Sequence, residues 1–148
     1  MHKPLFLLAI GIAPSIALGQ TIEGKWTVRD FVGEAAFIDP SEVIGTVQII
    51  DRGFAEGAFY ECNLAGQYLR YTTYTVADFL ASSEFKGFQA IAQDVQEAGS
   101  TVFVHNISCN GDGSPGTRQK LYPIVTVDDA PVAWYPFEGG IFTLEILQ

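Results

Sequence analysis

The sequence predicts a mainly β, antiparallel domain with a short helical interruption near its middle. Three observations carry that expectation. Apolar and polar side chains alternate with a period of two over most of the chain, as half-buried strands require. Turn-forming clusters such as Asp51-Arg52-Gly53 and Glu138-Gly139-Gly140 punctuate the runs at short intervals. Only the middle of the chain, from about residue 76 to 98, lengthens its apolar period to that of a helix.

Ahead of the strands, residues 1–19 (MHKPLFLLAIGIAPSIALG) read as an export signal. His2 and Lys3 are a short basic start, Leu5 to Ala13 an apolar run, and Ala17-Leu18-Gly19 a small-residue cleavage site. The run is shorter than the roughly 20 apolar residues a membrane anchor needs. Gln20 follows the site where a lipid-anchored product would need Cys, so the expected product is soluble and periplasmic or secreted. Residues 20–148 then form one domain, long enough for a real core and too short for two.

The elements follow in order. Gly24 to Phe31 alternates Trp26 and Val28 against Lys25 and Arg29. Asp39-Pro40-Ser41 breaks the chain, and Val43 to Ile50 resumes it with Gly45 as a bend. Phe54 to Asn63 reads as one strand with Tyr60 and Cys62 on a shared face, and Gln67 to Tyr74 as the next. Thr75 and Asp78 then have the spacing of a capping box, flanked by Tyr74 and Phe79 at hydrophobic-staple positions, so a short helix spans Val76 to Ala81. Phe88, Ile91, Ala92 and Val95 form an apolar stripe and Gly99 a C-terminal stop, predicting a second helix over about 87–98. Thr101 to Cys109 returns to strand, with Phe103, His105, Ile107 and Cys109 on one face. Residues 110–116 are a loop, Leu121 to Val127 a strand, and Val132 to Phe137 with Ile141 to Leu147 a final hairpin. In that hairpin Pro136 pushes its strand towards an edge or a bulge, while Phe142, Leu144 and Ile146 face inward.

The two cysteines after the leader, Cys62 and Cys109, read as one disulfide in an exported chain, with two buried free thiols as the alternative. In the chain-entropy model such a link stabilises the fold by about 4 kcal/mol. The formal charge is −9, and one unit more negative once Lys3 leaves with the leader. Nucleic acid and anionic lipid would both be repelled by that surface.

Gly24-x-Trp26 on the first strand, among some seven to eight strands, resembles the opening of the lipocalin-like, or calycin-type, barrels. The Gly140-Ile141-Phe142-Thr143-Leu144 ending and the placing of the two cysteines are similar to small secreted bacterial members of that group, whose function is unsettled. The chain departs from lipocalins in having no arginine after Arg118 and no T-D-Y-type motif. The resemblance implies a single antiparallel barrel in which Trp26 plugs the closed end and an apolar interior opens at the other.

Catalytic signals are sparse. His105, the one histidine after the leader, sits in an apolar strand and reads as packed core. No G-x-S-x-G, H-E-x-x-H or P-loop is present, and too few His and Cys remain for a transition-metal site. Asn110-x-Asp112-x-Ser114 begins like a calcium loop but has Leu121 at the twelfth position. Asp128-Asp129 reads as a solvated pair beside a turn. The expectation is a protein that is not an enzyme and uses no cofactor, binding a small hydrophobic molecule within the barrel. Phe59, Tyr60, Tyr71, Phe103 and Trp134 are its predicted lining. The alternative is an inhibitor of a secreted hydrolase, a lysozyme or protease, steered towards a basic exported protein by charge and presenting the loop 110–117.

Overall fold

The computed structural model describes residues 22–51, 54–57, 61–63, 70–109 and 120–147. For residues 54, 61–63, 70, 107–109 and 120–122 it describes the backbone alone. The leader, Phe59, Tyr60 and the loop 110–117 lie outside the described residues.

The described chain is mainly β. Its strands are β1 (Gly24–Glu34), β2 (Val47–Ile50), β3 (Phe54–Glu56), β4 (Glu61–Asn63), β5 (Arg70–Thr75), β6 (Thr101–Cys109), β7 (Lys120–Val127), β8 (Val132–Phe137) and β9 (Gly139–Ile146). They join into one sheet in the order β4-β3-β2-β1-β9-β8-β7-β6-β5. Every adjacent pair is antiparallel. Two meanders, β1 to β4 and β5 to β9, are thus sewn together by β9 against β1. The sheet curls into a half-barrel, and Cα atoms of β4 come within 8 Å of those of β6. Short helices complete the fold: α1 (Pro40–Val43), α2 (Val76–Ala81), a 3-10 helix (Ser83–Ile91) and α3 (Ala92–Ala98). None of the helices among the described residues is long and apolar enough to cross a membrane.

Strands β2 and β3 decide which face is inner. Gln48, Ile50 and Ala55 are buried while Val47 and Glu56, pointing the other way, are exposed. The inner face carries a core of Trp26, Val28, Ile50, Ile124, Tyr135, Phe142 and Leu144, with Phe31 and Phe137 packed against it. Trp26 is fully buried, and its indole Nε1 donates to the Ile22 carbonyl at 3.0 Å, so the ring's one polar atom is satisfied. The outer face, on β1 and β5 to β9, carries a second core. There Val102, Val104, Val125, Val127, Trp134 and Ile141 pack against Phe79, Phe85, Phe88, Ile91 and Val95 of the helical segment.

Several expectations hold in detail. Helix α2 spans Val76–Ala81, with Thr75 accepting from the Asp78 N–H at 3.0 Å and the Tyr74 and Phe79 rings 6.2 Å apart. In β9, Phe142 and Leu144 are buried and Glu145 is exposed.

Four readings are corrected. The single strand expected over 54–63 is a hairpin, with Ala55 opposite Cys62. Gly57 follows β3, and the end of the Gln48 side chain occupies the space a Cβ there would take. Val43 to Ile50 divides: Asp39 caps and Pro40 begins α1, and the strand starts only at Val47. Ser41's N–H and hydroxyl both bond the Asp39 carboxylate, the hydroxyl first, and hold its pKa below the usual value. The helix expected over 87–98 is a 3-10 helix running into a shorter α-helix, with non-helical backbone at Phe85. Its stripe still buries Phe88, Ile91 and Val95, because a one-face pattern constrains burial more tightly than pitch.

Asp128 is the fourth correction, for its carboxylate does not simply face solvent. It accepts from the Ser100 N–H at 2.7 Å and the Thr101 N–H at 3.1 Å, fastening the β7–β8 turn to the exit of α3.

Candidate functional site

The site begins with two prolines. Strands β7 and β8 pair at only two positions, Val125 with Trp134 and Thr126 with Ala133. Pro123 and Pro136 lie beyond those pairs, where a continuing ladder would need N–H donors that proline lacks. Pro136 therefore behaves as an edge residue within a central strand. It remains paired with Ile141 on the β9 side and has no partner on the β7 side.

Over this parting lies the 3-10 helix. Phe79 and Phe85 stack with ring centroids 4.5 Å apart, Phe88 meets Phe79 edge-on at 4.8 Å, and Tyr74 meets Phe85 edge-on at 5.5 Å. The cluster holds the segment against the sheet while Gly87, beside it, fills no space: a Cβ there would meet nothing within 4 Å. Between segment and outer face is a cavity of about 750 Å³, within the range of small-molecule sites. Its walls are chiefly Val32, Tyr74, Phe85, Phe88, Val104 and Ile141, with both prolines.

Glycines shape one end. Gly33 lies opposite Gly140, and a Cβ on Gly33 would meet the Gly139 carbonyl oxygen and the Gly140 Cα, each at 2.6 Å. Its φ of 114° is one that side-chain-bearing residues rarely adopt. This close seam separates the groove from a second cavity of about 590 Å³ under residues 34–36, and Gly33, Glu138 and Gly139 border both.

Polar groups share the groove's lining. Thr72 and Asn106 are neutral, Glu84 and Lys86 stand on the 3-10 helix, and Glu138 stands at the glycine seam. Glu138 has a left-handed backbone (φ 54°), and one carboxylate oxygen accepts from the N–H groups of Ala36 at 2.6 Å and Phe37 at 3.3 Å.

The predicted lining residues divide between two faces. Tyr71 and Phe103 share the inner face, their rings 5.5 Å apart, with Phe103 buried and Tyr71 half exposed. Trp134 is on the outer face, in the core beneath the helices, because its register partner is Val125. It does not share a cavity with Phe103. Phe59 and Tyr60 lie outside the described residues, as do the sulfurs of Cys62 and Cys109, although the strands carrying the two cysteines approach one another.

His105 is buried on the inner face, and its Nε2 shares a 3.0 Å hydrogen bond with Thr126 Oγ1. Its ring stands 5.5 Å from that of Tyr71. No group of three His, Cys, Asp or Glu side chains able to hold a metal occurs among the described residues.

What sequence reading missed is the groove. Its walls come from six strands and the 3-10 helix, and no short motif joins them. Pro123 and Pro136 within strands were the available signal, since two such residues mark places where a ladder stops.

Compared with known proteins, the chain matches no family model, no curated protein and no solved structure.

Proposed function

We propose that this is an exported, non-enzymatic protein that binds a small apolar molecule, and that it does so in the groove beneath the 3-10 helix. The observation that carries the reading is the cavity of about 750 Å³, whose aromatic and valine walls outweigh the polar groups that share its lining. Apolar surface held open beside a packed core gains free energy when a ligand displaces its water, at roughly 25 cal/mol per Å². The inner face gives less room for such a ligand, because Trp26, Phe31, Tyr135, Phe137 and Phe142 occupy it. Export follows from the reading of residues 1–19 as a cleaved leader, and a Cys62–Cys109 disulfide belongs to the same proposal. The approach of β4 to β6 supports that link.

The test uses N-phenyl-1-naphthylamine, a neutral dye that brightens in apolar sites, with the leaderless protein. Binding is expected for the wild type and for the inner-face variant Phe103→Ala. Gly87→Trp, which puts an indole where a Cβ meets nothing, is expected to abolish it. Equal binding by wild type and Gly87→Trp would overturn the reading, as would loss confined to Phe103→Ala.

A further inference from the structure

We propose that the ligand of the groove carries a cationic head, an alkylammonium or comparable amine, seated against Glu138 with its apolar body along Phe85, Phe88 and Ile141. This rests on the reading of the groove as a binding site and adds the ligand's charge class.

Glu138 carries the argument. It borders both cavities, at the glycine seam between them. One of its oxygens is held by the Ala36 and Phe37 amides, which fixes the group's position before any ligand arrives. Its backbone is left-handed, a conformation that costs a residue with a Cβ and that glycine or asparagine would adopt more cheaply. The chain nonetheless places a carboxylate there. The charge around the two cavities has the same sense: Glu34, Glu84 and Glu138 border them, against Lys86 as the lining cation among the described residues. The whole chain is at −9. An anionic head, such as a fatty acid's, would enter against that field, whereas an ammonium would enter with it.

Competition against the bound naphthylamine dye tests this, with decyltrimethylammonium, decanoate and decanol below their micelle concentrations. The ammonium compound is expected to displace the dye at a concentration roughly tenfold lower than decanoate, with the preference shrinking as salt is added. Glu138→Gln retains an oxygen for the two amide donors and removes the charge, so it should collapse the preference. Glu145→Gln, the same charge change in a side chain that pairs with Arg29 away from the groove, should leave it intact. Equal competition by decanoate, or a preference unchanged in Glu138→Gln, would overturn the cationic head while dye and decanol binding still upheld the groove. Failure of dye and decanol alike to bind would overturn the groove reading and this inference with it.

Discussion

The Glu138 carboxylate accepts from the Ala36 backbone N–H at 2.6 Å, across more than a hundred residues of chain. The bond ties the β8–β9 turn to the segment that leaves β1, and with it the rim shared by two cavities. Glu138→Ala is expected to lose both amide contacts and to keep the cost of a Cβ at positive φ. Destabilisation of about 1 kcal/mol in urea unfolding is the expected result. Glu138→Gly should be milder, because it relieves the backbone.

Gly33 permits no side chain. A methyl group there would press on the Gly139 carbonyl and the Gly140 Cα, both of them backbone, at an unfavourable φ. Gly33→Ala should cost about 2–4 kcal/mol and lower the thermal midpoint by well over 5 °C, read by circular dichroism. A wild-type midpoint would mean that β1 and β9 do not approach so closely.

Asp128 offers two acceptor oxygens to two backbone amides. Asp128→Ala should destabilise by about 2 kcal/mol, while Asp128→Asn, which retains one acceptor and tolerates the left-handed backbone of this position (φ 43°), should lose less than half of that. Hydrogen exchange at Ser100 and Thr101 is expected to quicken in the alanine variant.

Cys62→Ser should lower thermal stability markedly under oxidising conditions and barely under reducing ones, the difference reflecting a link worth about 4 kcal/mol. Equal loss in both buffers would mean that the thiols are not joined.

Much of the fold was legible because its local chemistry is strong. The Thr75–Asp78 cap and the Tyr74–Phe79 staple placed α2 to the residue. Period-two alternation in β9 predicted which way Phe142, Leu144 and Glu145 point. The failures share a physical cause: short-range patterns do not report what the chain meets at long range. Residues 54–63 look continuous because their alternation does not report that Ala55 lies opposite Cys62. The kinked start of the 83–98 segment follows from packing Phe85 between Tyr74 and Phe79, which helical periodicity does not encode. As an aromatic on a strand, Trp134 reads from sequence as a barrel-lining residue. Register against Val125 assigns its face, and register is set by the partner strand. The groove was hidden for the same reason, being a product of where β7 and β8 cease to pair.

The central claim is that the ligand site lies outside the curled sheet, under the 3-10 helix. Amide chemical-shift mapping during titration with the naphthylamine dye tests it most directly. The largest shifts are expected at Phe85, Gly87, Phe88, Asn106 and Ile141. Shifts centred instead on Phe103, Tyr135 and Phe142 would put the ligand within the curl and contradict the account.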